Sequence, residues 1–206
     1  MFWFTDALTS TQLIELAQRT EQLGYVALWY PEALSYESFG LGSFLLSHTD
    51  KLIIASGIAN IYARDATATK QGQHTLAKLY GGRFLLGLGV SHVPLVEDAR
   101  GHQYRQPLAT MRAYLDRMEK AAAIAPSLDD PAPTVLAALS PQMTALAGRH
   151  TAPVRFPIMS RPSTQHGRGP SSVRTNGSAS SKRCCSSLIP PRQERWRDRP
   201  WRFTCH

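Results

Sequence analysis

Several things are missing from this sequence. No apolar run approaches the roughly 18 residues that a membrane helix requires. Met1-Phe2-Trp3-Phe4 passes directly into Thr5-Asp6, with neither a basic leader nor a cleavage signal, so a signal peptide is not expected and a cytoplasmic location is. There is no GxGxxG after the first strand, no Walker-type loop and no GxSxG elbow, which argues against a nicotinamide Rossmann domain, a P-loop enzyme and an α/β-hydrolase. No CxxC pair occurs. All three cysteines, Cys184, Cys185 and Cys205, fall near the end of the chain, and Cys184-Cys185 lacks the partners of a metal site, so no metal is expected.

What is present divides in two. The net charge of +8 comes entirely from the last part of the chain. Residues 1–150 hold 12 Lys and Arg against 13 Asp and Glu, whereas residues 151–206 hold 11 against only Glu194 and Asp198. That second part is rich in Arg, Ser and Pro and has no apolar period. It reads as a disordered basic tail. The competing reading, nucleic-acid binding through charge with Trp196 and Trp201 stacking on bases, is disfavoured.

Residues 1–150 alternate between strand and helix patterns. Short apolar runs at Phe2–Phe4, Tyr25–Tyr30, Leu52–Ser56, Phe84–Gly89 and Thr134–Leu139 read as five strands. Helical spacing follows each one. Thr9 or Ser10 caps a helix running to Leu23, with Leu13, Leu16, Ala17 and Leu23 near one face and Gly24 as its stop. Others cover about Ser38–His48, Thr67–Tyr80, a stretch opened by Pro107, and a last one opened by Ser140-Pro141. Pro126–Pro133 reads as a loop. The strands are continuous apolar runs, so both faces are covered, as in an α/β protein of parallel strands. Pattern leaves a doubly wound sheet and a closed barrel both open. In either, functional groups gather at the carboxyl ends of the strands.

Those ends carry Glu32, then Gly57, Ile58 and Asn60 with Arg64 beyond them, then Gly89, Ser91 and His92. Small residues there let a flat ligand or another backbone approach closely. An amide, a guanidinium, a hydroxyl and an imidazole on adjacent loops could bond a heterocycle's carbonyls and ring nitrogens. Glu32 reads equally as an acid or base and as a charge at a helix approach. His48, His74 and His102 read as ordinary helix or loop residues.

Several segments, in order, resemble the luciferase-like oxidoreductase superfamily. They are Leu23–Trp29, Ser56–Arg64, Gly81–His92, and Tyr104–Pro107 followed by Met111–Leu115. The resemblance covers residues 2 to about 150 and is nearest to the branch using coenzyme F(420), a deazaflavin. It implies a TIM (β/α)8 barrel. A complete one typically needs about 250 residues, so this chain reads as an incomplete barrel of about five βα units. The implied function is hydride transfer between the deazaflavin and a small organic substrate, with homodimers among intact relatives. An FMN-dependent monooxygenase using O2 is the alternative. The resemblance further implies a ring lying against Gly57, Ile58, Asn60, Gly89 and Ser91, and a non-proline cis peptide at Gly57-Ile58. His92 or Glu32 would carry the proton.

The resemblance fades near Gly148-Arg149-His150. Reverse translation of Phe156–Thr164 with a one-nucleotide shift can read Ser-His-Asn-Val-Thr-Pro-Glu-His-Thr, which is similar to the family's continuation. A frameshift near codon 150 is therefore expected, and with it an inactive product whose open sheet edges favour aggregation.

Overall fold

The computed structural model describes residues 5–121, 132 and 134–150. The strand expected at Phe2–Phe4, most of the loop expected at Pro126–Pro133, and the tail from 151 lie outside the described residues. A single 3-10 turn, Thr5–Ala7, leads into helix α1, Ser10–Gln22. Thr9 caps α1 with a capping box: its hydroxyl accepts from the Gln12 amide, and the Gln12 side chain accepts from the Thr9 amide. Leu13 and Ala17 are buried, but Leu23 is not on the buried face as expected. It is the residue that ends the helix, and it stands 59% exposed.

The remaining elements are β1 (Ala27–Tyr30), α2 (Ser38–Ser47), β2 (Ile53–Ser56), β3 (Ala59–Asn60), α3 (Ala66–Leu79), β4 (Phe84–Gly89), α4 (Pro107–Lys120), β5 (Thr134–Leu136) and α5 (Pro141–His150). They alternate between strand and helix, except that β3 follows β2 directly. The long segment between β4 and α4, expected as loop, contains a π-helical turn over Pro94–Asp98. Helix α3 begins slightly before its expected start because Asp65 caps it, accepting from the Ala68 amide at 2.8 Å.

Every strand pair is parallel. Strand β1 lies beside β2, β2 beside β4, and β4 beside β5, while β3 continues the line of β2 along β4. The strands' two faces differ in what covers them. Leu28, Tyr30, Ile54, Phe84, Leu86, Leu88 and Leu136 share one core with apolar residues of all five helices. Trp29, Ile53, Ala55, Leu85 and Val135 form a separate cluster on the opposite face, with no helical residue in it. A doubly wound sheet places helices on both faces, whereas a barrel wall places them on the outside only. The fold is thus an arc of a singly wound parallel barrel, and the smaller cluster marks its inner face. Both faces are buried, which is why the strands read as continuous apolar runs.

Close packing against the arc sets individual residues. A Cβ on Gly42 of α2 would lie 2.7 Å from the Tyr30 hydroxyl and 2.9 Å from the Phe84 ring. That hydroxyl donates to the Ser38 carbonyl at 2.5 Å, fixing the first turn of α2 on the end of β1. Burial pushes the Tyr30 hydroxyl pKa well above its ordinary value, so it remains a donor. At the opposite end of the strands, Glu21 accepts from the amides of Asp50, Lys51 and Leu52 and so ties α1 to the entrance of β2.

Candidate active site at the carboxyl ends of the strands

The register of β4 reveals a bulge. Ile54 and Ala55 lie opposite Phe84 and Leu85, but Ala59 and Asn60 lie opposite Leu88 and Gly89. Three residues, Ser56, Gly57 and Ile58, therefore face two, Leu86 and Gly87. One extra residue in a strand makes it bend and breaks the local ladder. Ser56 repairs the break. Its fully buried hydroxyl accepts from the Gly87 amide at 3.0 Å and donates to the Gly87 carbonyl at 3.1 Å. The Ser56 and Gly57 carbonyls stand over Gly87, where a Cβ would meet them at 2.0 and 2.9 Å. The expected cis bond is absent: no cis peptide occurs among the described residues, so Gly57-Ile58 is trans. The extra residue, rather than a cis bond, turns the chain here.

Beyond the bulge the expected ring-seat residues come together. Asn60 and Gly89 are register partners, and both alternate onto the inner face, opposite to Ala59 and Leu88. The Ile61 amide donates to the Gly89 carbonyl at 3.2 Å. A Cβ on Gly89 would lie 3.2 Å from that of Ile58. Ser91 follows with φ of +58°, a left-handed conformation rare outside glycine. Gly57 and Asn60 are buried, Ser91 is half-buried, and His92 is exposed. Among the described residues the His92 imidazole has no hydrogen-bond partner.

Glu32 and Arg64 are placed differently from a ring-binding pair. Both Glu32 oxygens are engaged: Oε1 accepts from the Ser38 amide at 3.2 Å, and Oε2 accepts from the Asn60 amide at 2.6 Å. The Arg64 guanidinium bonds both of them, with Nη1 to Oε2 at 3.1 Å and Nη2 to Oε1. It also pairs with Glu37 at 2.6 Å and lies 5.1 Å over the Phe39 ring. Burial by itself would depress the Arg64 pKa. The bonds and charges of Glu32 and Glu37 more than offset that and raise it.

An aromatic group that sequence reasoning did not single out flanks this site. The Tyr62 ring lies 6.3 Å from His102 and 6.1 Å from Tyr104. Tyr104 donates to the Ser91 carbonyl at 3.3 Å and takes its place through its amide, which donates to Glu97 Oε1. Burial raises its hydroxyl pKa. The Tyr62 hydroxyl is buried with no hydrogen-bond partner among the described residues. The signal available in sequence was two tyrosines on successive strand-end loops, Tyr62 and Tyr104.

The inner face ends in Gly89, which has no side chain; Ile58 borders the place its Cβ would take, at 3.2 Å, and the bulge carbonyls stand over Gly87 two residues earlier. Among the described residues no three His, Cys, Asp or Glu side chains gather as a metal-ligand set, and no helix is long and apolar enough to cross a membrane.

Comparison with known proteins agrees with this architecture. A coenzyme F(420)-dependent tetrahydromethanopterin reductase from Methanopyrus kandleri superposes with a TM-score of 0.59 at 19% identity, over 71% of this chain and 52% of that one. A candidate coenzyme F(420)-dependent oxidoreductase of Mycobacterium tuberculosis is 28% identical over 144 residues, 70% of this chain and 42% of that protein. The 5,10-methylenetetrahydromethanopterin reductase of Methanolobus tindarius is 28% identical over 102 residues, 49% of this chain and 31% of that protein. The chain thus spans less than half the length of these two curated relatives. The family model for luciferase-like monooxygenases matches residues 5–170, four-fifths of the sequence, and the chain belongs to that family.

Proposed function

We propose that this chain carries the ring seat of an oxidoreductase that moves hydride between a deazaflavin, coenzyme F(420), and a small organic substrate. The observation that carries the reading is the meeting of the Ser56–Ile58 bulge, Asn60, Gly89 and Ser91 at one end of two adjacent strands. The names of the relatives give the deazaflavin as the cofactor class. When bound, that cofactor supplies the hydride chemistry, and the protein supplies orientation and a proton. Asn60 and the bulge carbonyls would bond the ring edge, and Gly57, Ile58 and Gly89 would lie against its face. His92, exposed beside Ser91 and without a side-chain hydrogen bond among the described residues, is the candidate to hold the proton. Glu32 is saturated by four hydrogen bonds and serves the frame of the seat instead.

Binding of FMN for a monooxygenase reaction is the second reading, favoured by the family's luciferase-like members. Titration of the purified chain with coenzyme F(420) and with FMN, followed by absorbance and fluorescence, separates the two. Preferential binding of the deazaflavin supports the proposal, and preferential binding of FMN overturns it. Binding of neither supports a frameshifted, inactive product, which sequencing the gene around codon 150 tests independently.

A further inference from the structure

We propose that Glu32 and Arg64 are positioning residues, a buried ionic clamp that fixes the chain after the bulge and so sets where Asn60 meets the ring. The inference rests on the ring-seat reading above. Glu32 closes three elements on one carboxylate: the end of β1 that bears it, the first turn of α2 through the Ser38 amide, and β3 through the Asn60 amide at 2.6 Å. Arg64 closes the turn that follows β3 onto the same carboxylate. Their side chains are only 2% and 11% exposed.

Arg64 is fixed from the other side as well. The Tyr114 hydroxyl of α4 sits 3.0 Å from the Arg64 carbonyl and 3.1 Å from that of Asp65. Within the turn, Asn60 is held at every backbone group. Its amide donates to Glu32, its carbonyl accepts from the Ala63 amide at 3.0 Å, and its Oδ1 accepts from the Tyr62 amide at 2.9 Å. The remaining donor of Asn60 is its Nδ2 group, so the clamp decides where that donor stands.

Stability alone does not account for burying this pair. Desolvating two charges costs about what their attraction returns, and apolar residues of similar volume often serve as well or better. An ionic pair has fixed geometry that an apolar contact lacks. Arginine in particular presents a planar fork matched to a carboxylate. The pair sits just past the bulge, where the ladder between β2 and β4 is interrupted and side-chain bonds take over from it.

The test uses the full chain in four forms: unaltered, Glu32→Gln, Arg64→Lys, and Glu21→Gln as a control. Glu21 makes three backbone bonds at the opposite end of the strands, so its loss weakens the fold without touching the seat. Two quantities are read: hydrogen exchange at the Asn60 amide, and the coenzyme F(420) dissociation constant per folded molecule. Both clamp variants are expected to raise exchange and to weaken binding by about tenfold or more, equivalent to about 1.4 kcal/mol. Glu21→Gln is expected to leave both unchanged while lowering the melting temperature. Arg64→Lys keeps the charge and is the variant expected to remain folded if Glu32→Gln does not. Folded clamp variants with unchanged affinity overturn the proposal, as does an affinity loss matched by Glu21→Gln at equal destabilisation. If the unaltered chain binds no deazaflavin, the functional reading fails. The clamp is then judged on exchange alone, and an unprotected Asn60 amide in the unaltered chain overturns it.

Discussion

Replacing Gly87 with alanine places a Cβ 2.0 Å from the Ser56 carbonyl oxygen and 2.9 Å from that of Gly57. Backbone atoms cannot yield the way the end of a flexible side chain does. To reach an ordinary contact of 3.4 Å the bulge must retreat by roughly 1.4 Å, which pulls the Ser56 hydroxyl away from the Gly87 amide and carbonyl. Each of those hydrogen bonds is worth about 1 kcal/mol net, and a buried amide left without a partner costs about 1–3 kcal/mol. Overpacking adds about 1–3 kcal/mol. The expected destabilisation is therefore about 4–8 kcal/mol, a large share of the roughly 5–15 kcal/mol typical of a domain. At Gly89 the nearest atoms to an added Cβ belong to Ile58, at 3.2 and 3.4 Å, and most of that contact is side chain that can shift slightly. Gly89→Ala is expected to cost less than about 1.5 kcal/mol. Urea denaturation of both variants, followed by circular dichroism, checks the pair. Equal losses at the two positions would refute the bulge geometry, because the register alone distinguishes them.

Three further outcomes follow from the same contacts. Arg64→Ala leaves Glu32 buried without its counter-charge and is expected to lose about 3–5 kcal/mol in denaturant titration; a loss under about 1 kcal/mol would mean that the pair is not buried in solution. Burial would raise the Glu21 pKa, but its bonds from the Lys51, Asp50 and Leu52 amides outweigh that and hold it below its ordinary value. Its contribution is therefore complete above the unfolded value, about 4.5, and is lost as pH falls from there through the depressed folded value. The stability of Glu21→Gln should accordingly fall less steeply on acidification than that of the unaltered chain, and parallel melting curves from pH 6 to pH 3 would count against it. Ser91→Gly relieves a left-handed backbone costing about 1–2 kcal/mol while adding about 0.5–1 kcal/mol of unfolded-chain entropy, so stability should hold or rise slightly. A clear fall in its melting temperature would show that the Ser91 side chain itself stabilises this turn.

Much of the wall was legible because its signals are local. Phe84–Gly89 matches its apolar run from end to end, and Pro107 marks the first turn of α4 as its fixed φ predicts. The Thr9 cap was visible for the same reason. Leu23 misled because helical spacing continues on paper past the residue at which Gly24, with φ of +79°, turns the chain away. The choice between barrel and doubly wound sheet was illegible from pattern, since apolar residues line both faces in each. Only the split between a helix-covered face and a helix-free one decided it. The resemblance pointed to Gly57-Ile58 as a place where the chain turns, but by a cis bond; the extra residue is visible only once the register against Leu86-Gly87 is known.

The polar contacts that build the site nevertheless share a regularity that sequence could have offered. Glu32 reaches Asn60 and Arg64 across 28 and 32 residues, Ser56 reaches Gly87 across 31, and Glu21 reaches Asp50 to Leu52 across 29 to 31. Each separation is close to one strand-plus-helix repeat of this chain. In a singly wound barrel consecutive strands are neighbours, so a residue at one strand end meets its counterpart one repeat later. A sheet whose order reverses at a switch point would break that spacing between its two halves. Buried charges seldom stand alone, so an acidic residue just past an apolar strand calls for a partner. Searching one repeat downstream of Glu32 leads to Arg64. The candidate seat is assembled from nearest-neighbour strand ends for this reason, and its frame is expected to respond as one unit when any of Glu32, Ser56, Arg64 or Gly87 is replaced.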